Sequence, residues 1–294
     1  MTAAPGSTLT IALPARFDLH RAVCSYGFYM LAPNRWDKAA RTFHRVLRTS
    51  TGRLVQTAVT QPQPRLLRVR CDKKLSTTER AEIRRQISRM LRLDEDFAPF
   101  HRIHAGARRR RFGRLLRSPN LFEDIVRTIT SCNVAWRNTQ SMNALLCSEI
   151  GGGGFPTPRQ LAAVTPEDLK QRCRVGYRAQ SIHRLAVEVT CGERDLSELE
   201  NPNLTTDELH RALRRIHGVG DYAASNLCML LGRYDRIAID SETYRHFRET
   251  HGIATPENPR HLHTHIEQYY AQYAPYQFLA YWYELWFGYE FSDG

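Results

Sequence analysis

The spacing of apolar residues changes character along this chain, and each change predicts an element. Between residue 8 and about residue 72 the pattern is that of β structure. Thr42-Phe43-His44-Arg45-Val46-Leu47 and Leu54-Val55-Gln56-Thr57-Ala58-Val59 alternate or run apolar on either side of Ser50-Thr51-Gly52, which predicts a hairpin. Leu66-Leu67-Arg68-Val69-Arg70-Cys71 predicts a third strand. Ser76 with Glu79 is a capping box, and Ile83, Ile87, Met90 and Leu91 then share one helical face. A small antiparallel sheet backed by this helix is the expected first domain, residues 1–105.

From there on the spacing is helical. Gly106-Ala107-Arg108-Arg109-Arg110-Arg111 reads as a charged connector, either a solvated face or a phosphate contact. Ser118-Pro119 predicts a helix start by cap and first-turn proline, with Leu121, Phe122, Ile125, Val126 and Ile129 as its buried stripe. Gly151 to Gly154 break the pattern, and Thr157-Pro158 and Thr165-Pro166 open two further helices. Thr205 with Glu208 is another capping box, ahead of Leu209, Leu213 and Ile216. Gly218-Val219-Gly220 ends that helix in a hairpin. Asp221 is the expected cap of the next, which carries Ala224, Leu227, Leu230 and Leu231 and stops at Gly232. A short apolar run, Arg236 to Ile239, leads to Asp240, which opens another helix. The run from Gln268 to Phe291 is unusually aromatic and predicts one buried closing helix. The expected fold class is α+β, mainly α: a sheet domain, then an all-helical domain over residues 106–294.

Composition narrows the partners. A net charge of +12 suggests a polyanion, and the cation is nearly all arginine, whose planar fork grips phosphate at two points. The only lysines are Lys38, Lys73, Lys74 and Lys170. No apolar run is long enough to span a membrane, and the N-terminus lacks a basic region followed by an apolar core, so a cytoplasmic, nucleoid-associated protein is expected. The seven cysteines are scattered singly, with no C-x-x-C pair, which argues against zinc sites and disulfide frameworks. His261, His263 and His265 are dense in metal-type ligands, but nothing nearby in sequence completes a site.

Two features carry candidate chemistry. The Gly-Val-Gly turn aims helix N–H groups and the positive dipole end outward, which suits a phosphate; it also serves simply to join two packed helices. Asp240 is either a helix cap or a functional carboxylate. The hairpin His217-Gly218-Val219-Gly220 followed by Asp240 resembles the signature of the helix-hairpin-helix (HhH-GPD) DNA glycosylases, in which that aspartate is essential. His217 stands where that family usually has proline. Thr130-Ser131-Cys132-Asn133 is similar to the turn whose asparagine, in the 8-oxoguanine enzymes, fills the gap left by the flipped base. From the residues alone, Asn133 is equally a cap of the next helix, and Trp136 a core or a stacking aromatic. Val175-Gly176-Tyr177-Arg178-Ala179 is similar to the G-Y-R-A segment of the same family, with Tyr177 and Arg178 as structural or DNA-side support.

The resemblance covers about residues 110–290 and, more loosely, the sheet. It implies a DNA N-glycosylase of base excision repair, acting as a monomer on duplex DNA that holds a damaged base. Asp240 is then the catalytic carboxylate, Asn133 the wedge, and Gly218, Val219, Gly220 and Arg178 the DNA side. Tyr222, Trp136, Tyr281 and Leu285 are base-pocket candidates. Cleaving a deoxyribose–base bond builds positive charge on the sugar, which one ionised carboxylate can stabilise while it orients a water. Relatives that also break the strand carry a lysine where this chain has Tyr222, so no lyase activity is expected. An aromatic there resembles the alkylated-base enzymes, and a tyrosine also resembles some thymine-mismatch enzymes; an electron-rich ring suits an electron-deficient alkylated purine. Tyr281 and Leu285 fall where the 8-oxoguanine enzymes place glutamine and phenylalanine. No cysteine follows Cys228, so the iron–sulfur cluster of some relatives is not expected; a monovalent cation on hairpin carbonyls is implied. Oxidised purine, mismatched thymine or uracil, and a non-catalytic DNA-binding role stay open as alternatives.

Overall fold

Alternate residues of the first third have a common face to fill. In the computed structural model, which describes residues 6–252 and 259–292, strands β1 (Thr8–Ala12), β2 (Asn34–Asp37), β3 (Thr42–Arg48), β4 (Leu54–Gln63) and β5 (Leu66–Cys71) form one sheet. The strand order is β1-β5-β4-β3-β2, and every pairing is antiparallel. Phe43 lies opposite Val59, Leu47 opposite Val55, and Val59 opposite Val69, all fully buried. Such cross-strand apolar pairs are the unit of sheet stability. The expected β structure is not continuous. Between β1 and β2 the chain forms helix α1 (Leu19–Cys24), because Asp18 accepts from the Arg21 N–H and caps it.

Helix α2 (Thr77–Met90) starts at the Ser76–Glu79 capping box, closed in both directions, and buries Ile83, Ile87 and Met90. The remaining helices are α3 (Ala98–Ile103), α4 (Ala105–Arg110), α5 (Leu121–Ser131), α6 (Trp136–Leu145), α7 (Pro158–Ala162), α8 (Pro166–Cys173), α9 (Arg178–Thr190), α10 (Thr206–Leu213), α11 (Asp221–Leu230), α12 (Ser241–His251), α13 (Pro259–Tyr270) and α14 (Gln277–Ser292). Three expectations are corrected. The arginine run belongs to a helix, α4, rather than to a connector; Arg108, Arg109 and Arg111 are exposed, while Arg110 lies 4.2 Å from the Phe287 ring centre. Helix α5 begins after Asn120, whose side chain accepts from the Glu123 N–H, so Ser118-Pro119 precede it. The aromatic C-terminal run is two helices, because Pro275 lacks the N–H that would continue α13 into α14. Of the stretches read above, residues 1–5 and the side chains from 288 onward lie outside the described residues.

The chain forms two compact units that interleave in sequence. Met1–Glu95 with Arg114–Leu196 makes the first, and Asp96–Gly113 with Ser197–Gly294 the second. In the first, α5 is buried along nearly its whole length, charged residues included. Glu123 is held at 2.7 Å by both Arg45 of β3 and Arg127 of its own helix. Arg127 also donates to the carbonyls of Phe28 and Ala32. Burial alone would raise the Glu123 carboxyl, but the two guanidinium groups outweigh it and keep the acid below its ordinary range. Asp124 accepts from Arg89 at 2.9 Å and from the Ser118 N–H at 2.7 Å. In the second unit α10 and α11 pack as a hairpin, and α12, α13 and α14 carry a cluster of tyrosine, histidine and phenylalanine rings.

Candidate active site

The hairpin is built by its glycines. Gly218 has φ +84°, a conformation in which a Cβ is strained, and the Val219 N–H turns back to the Ile216 carbonyl at 3.0 Å. Val219 is buried and plugs the turn, leaving Gly218 and Gly220 at the surface. The cap of α11 is Gly220 and not the expected Asp221, so the helix has no side-chain cap hydrogen bond. Asp221 occupies the first helical position, and its carboxylate turns toward His210 at 3.5 Å and Arg214 at 3.7 Å. Tyr222, two residues after Gly220, is half-buried in the first turn of α11.

The segment from the hairpin to Asp240 is tied down by polar contacts. Arg233 donates to the carbonyls of Pro202 and Leu204, Thr206 donates to Asp235 at 2.7 Å, and Arg236 pairs with Asp207 at 2.6 Å. Buried Tyr234 and Ala238 anchor the same segment from within. Asp240 ends it in extended conformation and caps α12. Its Oδ1 accepts from the Thr243 N–H at 2.9 Å and from the Thr243 hydroxyl at 3.0 Å, while the Asp240 N–H donates to Thr243 Oγ1 at 3.1 Å. Oδ2 makes no hydrogen bond among the described residues and is not sealed from solvent. One carboxylate oxygen is therefore fixed and the other is presented. Both readings of Asp240 are compatible, because the cap uses only half of the group.

Tyr281 and Leu285 of α14 are almost wholly buried, and the Tyr281 hydroxyl lies 2.9 Å from Thr243 Oγ1. Neighbouring Tyr270 donates to Glu284, which also faces His251 at 3.3 Å and His246 at 3.7 Å. Burial opposes charge on Glu284, but the contacts from His246 and Tyr270 and the charge of His251 hold its carboxyl below the ordinary range.

The remaining sequence candidates meet in the first unit. Asn133 follows α5 at φ +52°, is exposed, and is not a helix cap, since Ala135 holds that place for α6. Arg178, at the start of α9, is buried. Its guanidinium donates to the carbonyls of Ile129, Cys132 and Asn133, so the side chain clamps the turn that displays Asn133. Tyr177 is 69% exposed, with the Arg178 guanidinium 4.5 Å from its ring centre. Trp136 is only partly covered. Its ring rests on Gly27, where an added Cβ would come within 3.0 Å of it. Asn133 and Arg178 thus share one turn, with Trp136 in the same unit, and Gly218, Val219, Gly220, Tyr222, Asp240, Tyr281 and Leu285 belong to the other unit. Among the described residues, no group of three or more His, Cys, Asp and Glu side chains is placed to hold a metal ion.

Comparison with known proteins bears on this arrangement. Residues 126–272, half of the chain, match the model of the HhH-GPD superfamily of base excision DNA repair proteins. The chain belongs to that family. The HhH-GPD match takes in Asn133, Arg178, the hairpin and Asp240, but neither the sheet nor α14. Solved structures extend the likeness over the whole fold. A 3-methyladenine DNA glycosylase from Archaeoglobus fulgidus has a TM-score of 0.73 at 18% identity, covering 95% of this chain and 98% of that one. MBOgg1, solved with a low-affinity DNA ligand, gives 0.69 at 18%, with 98% of each chain covered. The 8-oxoguanine glycosylase/lyase of Clostridium acetobutylicum, bound to duplex DNA with cytosine opposite 8-oxoguanine, gives 0.64 at 15%, covering 91% and 93%. At these identities the likeness is one of fold. No curated protein matches by sequence.

Thr243, the residue that Asp240 and Tyr281 share in this HhH-GPD protein, is not among the candidates drawn from sequence. The three-residue spacing of a capping box, which located Thr205 and Ser76, was available at Asp240-Ser241-Glu242-Thr243 as well.

Proposed function

We propose that this protein is a monofunctional DNA N-glycosylase that removes damaged bases, alkylated purines foremost, and leaves an abasic site. The observation that carries the reading is the divided carboxylate of Asp240, with Oδ1 held by the cap of α12 and Oδ2 open. Bound at an extruded nucleotide, Oδ2 stabilises the positive charge that grows on the sugar as the N-glycosyl bond breaks, and aligns the water that attacks C1′. The bonding electrons leave with the base. An alkylated purine is cationic and departs neutral, so one carboxylate suffices without a general acid.

The N-terminus of α11, without a side-chain cap, and the Gly218–Gly220 turn suit a backbone phosphate. The arginine-rich surface adds a general attraction to duplex DNA. Asn133, exposed on a clamped turn, is the wedge, with Trp136, three residues on, a stacking candidate. Tyr222 offers a ring for stacking on the base. The lysines at 38, 73, 74 and 170 all lie in the first unit, so the unit that holds Asp240 contains no amine side chain for a Schiff base. No iron–sulfur cluster takes part in this reading. Backbone carbonyls of the hairpin are hard oxygen donors of the kind that suit a monovalent cation, which would supply positive charge beside the phosphate. The protein acts as a monomer, in the compartment that holds the chromosome.

The test is excision from duplex oligonucleotides that each carry one lesion, read before and after hot alkali, with Asp240→Asn alongside. Cleavage of the alkylated-purine strand only after alkali, falling by roughly a hundredfold or more in the variant, is expected. Cleavage without alkali would reject the monofunctional assignment. Preferential cutting of oxidised purine, thymine or uracil would move the substrate class. DNA binding without excision of any lesion would make the protein a binding module.

A further inference from the structure

We infer that Tyr281 and Thr243 are positioning residues for Asp240, linked to it in a single hydrogen-bond relay, and that Tyr281 serves the carboxylate rather than the damaged base. The inference rests on the reading of Asp240 as the catalytic group.

The direction of each bond follows from what the groups can give. Thr243 has one hydroxyl proton and two acceptor lone pairs. Ionised Asp240 only accepts, and its Oδ1 is 3.0 Å from Thr243 Oγ1, so the threonine proton goes there rather than to the Ala238 carbonyl at 3.4 Å. Both lone pairs of Oγ1 are then free to accept. One takes the Asp240 N–H at 3.1 Å, and the other takes the Tyr281 O–H at 2.9 Å. Thr243 is saturated, and the polarity runs from Tyr281 through Thr243 to Oδ1.

Two consequences follow. Oδ1 carries two donors, the Thr243 N–H and hydroxyl, so it is quenched as a base, and the electron density available to substrate sits on Oδ2. The orientation of the carboxylate is also fixed from a different helix. Tyr281 comes from α14 and is 2% exposed, Thr243 from α12 and fully buried, so packing of one helix on the other sets the angle at which Oδ2 is shown. Around Tyr281 stand the rings of Tyr270 at 5.9 Å, Phe278 at 6.0 Å, Trp282 at 6.1 Å and His246 at 6.3 Å.

The experiment measures single-turnover excision and lesion-DNA affinity for the wild type, Thr243→Val, Thr243→Ser, Tyr281→Phe and the Thr243→Val/Tyr281→Phe double variant, with melting temperatures as the folding control. Thr243→Val is expected to slow the chemical step by about tenfold and Tyr281→Phe by about threefold, with affinity for DNA unchanged. Thr243→Ser should recover most of the rate lost in the valine variant. The double variant should be no slower than Thr243→Val alone, because Tyr281 acts only through the threonine hydroxyl. A base-pocket role for Tyr281 gives the opposite results: multiplicative losses in the double variant, weakened lesion affinity, and a Tyr281→Phe effect that changes with the base. Any of these overturns the inference, as do wild-type rates in both single variants. If Asp240→Asn is inert while the other variants are at wild-type rate, the relay alone is rejected. If Asp240→Asn is fully active, the reading of Asp240 fails first.

Discussion

Gly220 shows what one residue's geometry can and cannot demand. Its φ of −85° is open to any residue, and a Cβ built there meets nothing within 4 Å. The fold therefore does not require glycine at this position, unlike Gly218 with its positive φ. A methyl group would project into the space that a phosphate backbone would fill. Gly220→Ala is accordingly expected to leave the melting temperature unchanged within about a degree, or to raise it slightly through unfolded-state entropy. It should weaken duplex-DNA affinity by about tenfold, as read by fluorescence anisotropy, because the close approach to the α11 N–H groups is lost. The same titration in potassium and in tetramethylammonium buffer tests the hairpin cation, with tighter binding expected in potassium. Equal affinity of Gly220→Ala and wild type would remove the hairpin from the DNA contact.

Among the elements, α5 carries the most information per residue, and much of it was hidden in the sequence. The apolar stripe from Leu121 to Ile129 was legible, as were the capping boxes of α2 and α10 and the proline starts of α7 and α8. Those signals are local: they depend on residues three or four apart. The ion cluster was not legible, because Arg45 and Glu123 are 78 positions apart and each looks like a surface residue in its own context. The buried Tyr281–Thr243 contact escaped for the same reason, since its partners are 38 positions apart. Asp240 was legible as the cap of α12 because that signal too is local, a carboxylate at a helix start.

The ion cluster has a measurable signature. Glu123→Ala strands two buried guanidinium groups and should cost about 3–5 kcal/mol of stability at neutral pH, seen as a lower midpoint in urea unfolding. The wild type gives the matching pH dependence. A carboxyl held below its unfolded value stabilises the fold above that value and loses the contribution as pH falls through the folded one. The stability gap between wild type and variant should therefore be full at neutral pH and narrow on acidification below the ordinary carboxylate range. A gap that is constant with pH would mean that Glu123 matters for its volume and not for its charge.

At the scale of the whole molecule, the sheet and the helices that follow it do not separate at the boundary their sequence patterns suggest. The buried acids of α5 take their partners from β3 and α2, through Arg45 and Arg89. Arg127 donates to carbonyls between α1 and β2. A fragment of residues 106–294 keeps every helix of the family match yet leaves these charges unanswered in an apolar setting. It is expected to show reduced helical circular dichroism and no cooperative melt, whereas the full chain melts cooperatively. A cooperative melt of the fragment would show that the helical part folds without the sheet.

The uneven placement of lysine reaches beyond the mechanism. With all four lysine side chains in the first unit, amine-directed reagents such as dye esters and cross-linkers have no lysine to attack in the second. Labels placed in this way leave the hairpin and Asp240 chemically untouched. A fluorophore on the first unit can then report on the behaviour of the second without altering a single atom of it.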